Sequence, residues 1–150
     1  MVKDSLVTKT QAQALKELGF NEPVAHYSTK SWEQKGITNI AIRPNNNNRI
    51  PDCTSVPTAD EVIDWLRRKY DIIIYDRIEP FVDPEDKTHK TILFEYSVKR
   101  CDTNHLGWNG RIYLGTTRLT NDVYSLKLEA IDIALEYIKS QKKCGKQDRL

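Results

Sequence analysis

The fold of this chain is decided by the stretch PTADEVIDWLRRKYDIIIYDRI, residues 57–78. Near its start, Thr58 is followed three residues later by Glu61. This is the pattern of a capping box, in which each side chain bonds to the backbone N–H of the other residue. Apolar residues then recur at spacings of three and four, as on one face of a helix. The isoleucines that follow at once are β-branched and favour a strand. A capped helix leading directly into a strand is therefore predicted.

Two further strands are predicted C-terminal to this stretch. Residues 90–100 alternate between apolar and polar side chains, with Leu93 as the exception. This pattern predicts a strand with one buried and one solvent-facing side. Residues 111–116 form a shorter candidate strand and follow Asn109-Gly110, a dipeptide favoured in two-residue hairpin turns. The sequence leaves open whether the segment before that turn is a hairpin arm or a long loop.

The last helix is predicted from the strongest apolar periodicity in the chain. One stripe of apolar residues consists of Tyr124, Leu128, Ile131, Leu135 and Ile138. A second stripe lies beside it and consists of Leu126, Ala130, Ile133 and Tyr137. The combined apolar face is wider than a surface helix needs. Two interpretations stay open: the face is buried against the protein's own sheet, or the second stripe is an interface, for example in a homodimer.

The N-terminal part carries weaker signals. A short helix over residues 10–18 is predicted to end at Gly19, with the following phenylalanine folded back onto its last turn. Two strands, residues 24–28 and 37–42, are predicted to form a hairpin. The asparagine run at residues 45–48 is interpreted as a solvated turn, since it is too short for a low-complexity tract.

These elements predict an α+β protein with an antiparallel sheet of three to five strands and helices on one face of that sheet. The C-terminal part, residues 57–140, has the order α-β-β-β-α. A single domain is predicted over residues 1–150, because the N-terminal helix and hairpin subregion, residues 1–50, is too small to fold alone. Residues 141–150 are predicted to form a basic tail.

The charge balance argues against binding of nucleic acid through the overall field of the protein. The chain has 23 basic and 21 acidic residues, a formal net charge of +2. Binding of that kind depends on many cations close to phosphates. Local groups of cations remain candidates. The candidate nucleic-acid contacts are Lys99, Arg100, Arg111, Arg118, Lys142, Lys143 and Lys146.

Composition and cysteine content predict a cytoplasmic protein without membrane association. The longest apolar runs are too short to span a membrane, and the first residues lack the apolar core of a signal peptide. Three widely spaced cysteines fit reduced thiols better than a disulfide framework.

No catalytic constellation is recognised in the sequence. The glycines are scattered and form no phosphate-binding loop. No pair of cysteines or histidines has the spacing of a zinc site. Residues 83–89 contain three carboxylates and a histidine but lack the ligand pattern and central glycine of a calcium loop. We therefore predict no catalytic residue, no cofactor and no metal site, and a protein that is not an enzyme.

The order of elements over residues 57–140 resembles that of the double-stranded-RNA-binding domain. The resemblance implies RNA contacts from the first helix, from a Gly-Pro-x-His loop and from a Lys-Lys-x-Ala-Lys motif at the start of the last helix. Here the corresponding loop is the acidic segment of residues 83–89, and residues 125–130, SLKLEA, match the alanine and one of the three lysines. The resemblance therefore extends to the topology, whereas most of the cations that duplex recognition needs are missing.

A second resemblance covers most of the chain. It is carried by residues 11–23 (QAQALKELGFNEP), 56–70 (VPTADEVIDWLRRKY) and 129–135 (EAIDIAL). In combination these segments resemble a group of small proteins, without an established activity, from Gram-negative gut anaerobes and their phages and mobile elements. The resemblance implies a phage or mobile-element accessory protein and supplies no chemistry.

Taken together, these features predict a non-enzymatic accessory protein that binds a protein partner. The partner is either another protein or a second copy of this chain. The candidate surfaces are the open face of the sheet and the second stripe of the last helix. The alternative is a nucleic-acid-binding protein that uses the open sheet face and the basic tail.

Overall fold

The computed structural model of the chain describes residues 5–29, 39–88, 90–101 and 111–147. The chain divides into two compact units, Met1–Val62 and Ile63–Leu150. The described residues form three α-helices and six strands, and every strand pair is antiparallel. This architecture confirms the predicted α+β class. The single domain over residues 1–150 stays a prediction.

The first unit contains α1 (Lys9–Glu17), β1 (Val24–Thr29), β2 (Asn39–Asn45) and β3 (Cys53–Ser55). The second unit contains β4 (Ile72–Val82), β5 (Lys90–Cys101), β6 (Arg111–Thr116) and α3 (Val123–Gln147). Helix α2 (Ala59–Tyr70) begins in the first unit and ends in the second. The order α2-β4-β5-β6-α3 is the α-β-β-β-α order predicted for the C-terminal part.

Helix α1 has a capping box at its start and a left-handed glycine after its end. The Thr8 hydroxyl accepts from the backbone N–H of Gln11 at 3.1 Å, and Gln11 Oε1 accepts from the N–H of Thr8 at 3.1 Å. Gly19 has a φ of 85°, which a residue without a Cβ adopts without strain. Phe20 is buried, and its N–H donates to the carbonyl of Leu15 at 2.9 Å. The predicted fold-back of Phe20 is confirmed.

The first sheet has the strand order β2-β1-β3. Strands β1 and β2 form the predicted hairpin, although its register shifts between Val24 and His26. Strand β3 has three residues and pairs with the other edge of β1. The sequence analysis missed β3, because a strand this short shows no periodicity.

The asparagine run forms a hydrogen-bonded turn. Asn47 is buried, and its Nδ2 donates to the carbonyl of Val24 at 3.3 Å. Asn48 Nδ2 donates to the carbonyl of Phe20 at 2.8 Å, while its Oδ1 accepts from the N–H of Ser55 at 2.8 Å. The prediction of a solvated turn is therefore wrong for Asn47 and Asn48. Their amides supply partners to backbone groups where regular pairing stops.

Helix α2 starts and ends as its sequence predicts. The N–H of Glu61 donates to Thr58 Oγ1 at 3.2 Å, and the N–H of Thr58 donates to Glu61 Oε1 at 3.0 Å. One residue, Asp71, separates α2 from β4 and has a φ of 56°. Aspartate is among the few non-glycine residues that enter this left-handed region. The Asp71 carbonyl accepts from the N–H of Cys101 at 2.9 Å, which joins the helix–strand junction to β5.

The second sheet has the order β4-β5-β6, and α3 packs against β5 and β6. Strands β4 and β5 pair without irregularity along all of β4, whereas the pairing of β5 with β6 shifts register between Val98 and Lys99. Gly115 of β6 lies directly under Ile133 of α3, and a Cβ there would lie 2.9 Å from Ile133 Cγ2. The buried side chains of α3 are Leu126, Ala130, Ile131, Ala134, Leu135 and Ile138. Most of the wide apolar face is thus used within the protein itself.

The open question about the segment before Asn109 lies outside the described residues. The loop that contains Trp32, the imidazole of His89 and the side chain of Cys144 also lie outside them.

Candidate functional site

The alternation of side chains along β5 separates two faces of the second sheet. Because successive residues of a strand point to opposite faces, Val98 and Lys99 lie on different sides. Val98 is fully buried and is paired with Gly115, which lies under Ile133 of α3. The side of Val98 is therefore the helix-covered face, and the side of Lys99 is the open face.

Two tyrosines and two cations give the open face its chemical character. Lys99 is paired with Ile73 of β4 on one side and with Tyr113 of β6 on the other. Arg111 is paired with Cys101, which is the next residue after Lys99 on the same face of β5. Tyr113 is 61% exposed and Tyr75 is 37% exposed. A shallow cavity of about 280 Å³ is lined by Ile73, Tyr75, Lys99 and Arg111.

Lys99 and Tyr75 interact directly on this face. The ammonium nitrogen of Lys99 lies 5.3 Å from the centroid of the Tyr75 ring, within the range of a cation–π contact. Hydrogen bonding to Lys99 lowers the pKa of the Tyr75 hydroxyl, and Ser97 and the charge of Arg111 act in the same direction. The open face therefore joins aromatic surface to positive charge.

The side chains of the helix-covered face are not buried along its whole length. Along β4 on this face, Ile72 is fully buried, whereas Ile78 is 57% and Val82 is 48% exposed. Ile92 of β5 is paired with Pro80, which lies between Ile78 and Val82 on the same face of β4. Ile92 is 54% exposed. Ile78, Val82 and Ile92 therefore form one exposed apolar surface, named here the hairpin patch.

A third surface lies where the end of α2, the end of β5 and the C-terminal half of α3 meet. It is a cavity of about 390 Å³. The charged and aromatic residues that line it are Lys69, Tyr70, Asp71, Arg100, Tyr137 and Lys142. Because three of them are cations and one is a carboxylate, the cavity is named here the basic pocket.

The structure does not bring all the predicted nucleic-acid contacts together. Lys99 and Arg111 share the open face, whereas Arg100 lies on the helix-covered face. Arg118 follows β6 and forms an ion pair with Glu129 at 3.1 Å. The predicted residues therefore divide among separate surfaces.

The lysines of the predicted basic tail lie on helix α3. This helix continues to Gln147, so most of the segment predicted as a tail is helical. Lys142 and Lys143 are exposed, and Lys142 lines the basic pocket. Lys146 is on the same helix, and its side chain lies outside the described part of the chain.

The predicted interface stripe on α3 is mostly engaged within the protein. Leu126 and Ala130 are fully buried, so contact through these two side chains would require the core to open. Ile133 lies against Gly115. The hydroxyl of Tyr137 accepts from Arg100 Nη1 at 2.8 Å.

The described residues contain no group of three or more histidine, cysteine, aspartate or glutamate side chains that could hold a metal ion. In the turn after β4, Asp83 and Asp86 accept backbone N–H groups at 2.9 Å and 3.1 Å. These carboxylates therefore stabilise the turn. Cys53 and Cys101 are half-buried free thiols. The absence of catalytic activity stays a prediction.

Comparison with models of known protein families finds none that matches, and comparisons with curated proteins and with solved structures find no significant match. The resemblance to small mobile-element proteins therefore stays a prediction. Within the described ranges, no helix combines the length and the apolar character needed to cross a membrane.

Sequence reasoning missed several residues of these surfaces. It identified Lys99 and Arg111 but not Tyr75 and Tyr113, which lie beside them only after the strands pair. It also predicted that the apolar side of β5, on which Ile92 lies, is buried. The alternation along β4 and β5 indicates which side chains share a face of the sheet. It does not indicate how far α3 extends over that face, because this depends on tertiary packing.

Proposed function

We propose that the protein is a non-enzymatic interaction protein that binds a protein partner on the hairpin patch. The observation that carries this proposal is the exposure of Ile78, Val82 and Ile92 on the continuation of a face that α3 buries elsewhere. Single exposed apolar side chains are normal on protein surfaces, whereas adjacent ones on one face mark interaction sites. The partner supplies the cover that α3 does not reach.

The patch is suited to the apolar face of an amphipathic helix. It continues the surface on which α3 packs, and helices covering one face of a sheet are a common layered arrangement. Addition of a partner strand along β4 is less favourable, because Pro80 has no N–H to donate and lies within the exposed segment. The proposed partner therefore presents apolar residues at spacings of three and four.

A partner other than a second copy fits the size of the patch better. A two-fold contact would bury only the same three side chains on each copy. The area buried would be far smaller than the roughly 800 Å² per partner of a standard interface. A different protein can extend from the patch to Phe81, which is 44% exposed on the other face of the hairpin. It can also reach the turn with Asp83, Glu85 and Asp86, where basic residues on the partner would be favourable.

Site-specific photo-crosslinking in the native host tests the proposal. A photoreactive phenylalanine analogue at position 92 is expected to crosslink to one partner protein. The same analogue at Asp132, an exposed residue of α3, is the matched control. With the identified partner purified, Ile78→Thr and Ile92→Thr should each weaken binding to the full chain at least about tenfold, as for residues at the centre of an interface. Crosslinks only between copies of this chain, or equal crosslinking from both positions, would contradict the proposal.

A second candidate function is binding of single-stranded nucleic acid on the open face. It is favoured by Tyr75 and Tyr113 lying beside Lys99 and Arg111. In sequence-tolerant single-strand binding, bases stack on aromatic rings and cations contact the phosphates. A duplex presents no exposed base faces to these rings, so single strands should be preferred.

Fluorescence anisotropy with labelled single strands and duplexes of about 20 nucleotides or base pairs tests this candidate. Single strands should bind more tightly, and the affinity should fall steeply with salt. Tyr75→Ala and Tyr113→Ala should each weaken binding, whereas Lys87→Gln, an exposed control in the β4–β5 turn, should not. Absence of binding at low salt, or an equal loss with the control variant, would exclude the open face as this site.

A further inference from the structure

The basic pocket holds the half-buried Arg100, and among the described residues the one hydrogen-bond partner of its guanidinium is a neutral hydroxyl. Arg100 Nη1 donates to the Tyr137 hydroxyl at 2.8 Å, and the guanidinium carbon lies 6.0 Å from the centroid of the Tyr137 ring. Within the described part of the chain no carboxylate pairs with Arg100. A guanidinium has five N–H donors in a planar fork, so several remain available to an anion.

The charges around Arg100 favour a dianion. Lys69 at the end of α2 and Lys142 on α3 line the same cavity, and Asp71 is the one carboxylate among the described residues that line it. Three cations against one carboxylate leave a formal charge of +2. A carboxylate ligand would neutralise half of this charge, whereas a phosphate monoester carries about −1.5 to −2 at neutral pH. The C-terminal end of α2 adds partial negative charge, which Lys69 in its last turn offsets.

The walls of the cavity provide flat apolar surface next to these charges. Tyr70 lies edge-on to Trp65, with ring centroids 5.4 Å apart and an interplanar angle of 76°. Burial raises the pKa of the Tyr70 hydroxyl above an ordinary value that already keeps the phenol protonated, so the group is a donor at neutral pH. Tyr137 contributes a second ring and the buried Ile138 an aliphatic surface. The cavity of about 390 Å³ is within the size range of small-ligand sites.

We propose that the basic pocket binds a small phosphate monoester attached to a flat ring, of the class of the nucleoside monophosphates. The phosphate accepts hydrogen bonds from the Arg100 fork, and Lys69 and Lys142 supply the remaining charge. The ring packs against the aromatic and aliphatic wall. This site is separate from the hairpin patch, so the proposal goes beyond partner binding and does not depend on it.

Isothermal titration calorimetry of the full chain with AMP, adenosine and inorganic phosphate at low salt tests the proposal. AMP should give saturable binding, and adenosine and inorganic phosphate should each bind at least about tenfold more weakly, as expected when a charge-assisted contact or the ring contact is lost. Arg100→Lys keeps the charge but loses the planar fork, and it should also weaken AMP binding about tenfold.

Variants at the exposed rim keep the test independent of folding. Lys69→Gln and Lys142→Gln change exposed side chains and should preserve the circular dichroism spectrum while each weakens AMP binding. Lys87→Gln, an exposed lysine outside the pocket, should leave AMP binding unchanged. Absence of saturable AMP binding would overturn the proposal. Adenosine or inorganic phosphate binding as tightly as AMP would also overturn it, as would unchanged affinity in the Lys69 and Lys142 variants.

Discussion

The two ends of the β4–β5 pair are built alike but lie in different environments. Towards α2, Ile72 and Val98 on the helix-covered face are fully buried. Towards the turn, Ile78 and Ile92 on the same face are 57% and 54% exposed. Both ends contain β-branched and aromatic residues, and the pairing is regular throughout. The comparison teaches that burial along this face depends on what packs over the sheet, since strand composition is similar at both ends.

The largest effect is expected in the covered region. Ile131→Ala removes a fully buried side chain of α3 and should lower the free energy of unfolding by about 2–5 kcal/mol. Urea denaturation followed by circular dichroism measures this change. A loss below about 1 kcal/mol, smaller than core truncations give, would mean that the covered end is not a packed core.

A smaller effect is expected where α3 approaches β6 most closely. Gly115→Ala would place a Cβ 2.9 Å from Ile133 Cγ2, so the side chain or the helix must move. Overpacking of this kind should cost about 1–3 kcal/mol in unfolding free energy. Combining Gly115→Ala with Ile133→Val, which shortens the side chain while keeping its Cγ2 methyl, tests which part moves. If the double variant is more stable than Gly115→Ala alone, the Cδ1 methyl is the obstacle. If the two variants lose the same unfolding free energy, the strain lies on Cγ2.

The uncovered end should be almost insensitive to substitution. Ile92→Thr keeps a β-branched side chain in the strand and removes apolar surface that is already 54% exposed. The free energy of unfolding should change by no more than about 0.5 kcal/mol in the purified protein. A loss comparable to that of Ile131→Ala in the same denaturation experiment would show that the hairpin patch is covered in solution, which would remove the basis of the proposed partner site.

The smallest expected effect concerns the open face and leaves neutral-pH stability unchanged. Interaction with Lys99 lowers the pKa of Tyr75 below its ordinary value of 10.0, so the folded state favours the ionised phenol. The resulting stabilisation is full above the unfolded pKa and is lost as the pH falls through the folded pKa, which places it at alkaline pH. Lys99→Gln should return the Tyr75 titration towards 10.0, as measured by NMR with ring-labelled tyrosine and assigned with Tyr75→Phe. An unchanged titration would show that Lys99 does not interact with the phenol.

Local features of the fold were predictable because their determinants lie within a few residues. The capping box of Thr58 and Glu61, the left-handed Gly19 and the direct passage from α2 to β4 each depend on short-range geometry. Strand β3 and the burial of Asn47 were not predictable in this way. Both depend on partners distant in sequence, namely β1 and the carbonyl of Val24.

The candidate surfaces were predictable only in part. Lys99 and Arg111 were named from their charge, but their grouping with Tyr75 depends on the register of three strands. Arg100 was named with Lys99 as a candidate nucleic-acid contact, and the two lie on different faces because neighbours in a strand face opposite sides. Leu126 and Ala130 were candidates for an interface because a helical stripe does not reveal how much of it the sheet occupies.

The sequence by itself determined the order of the C-terminal elements, the ends of α2 and the alternation along β5, because periodicity and capping act over short distances. The tertiary structure alone decided that the strands form two sheets, that α3 packs on β5 and β6 while one end of the β4–β5 pair stays exposed, and that Arg100 meets Lys69 and Lys142 around one cavity. These features depend on strand register and on where a helix lies on a sheet. Both result from packing between segments that are far apart in the chain.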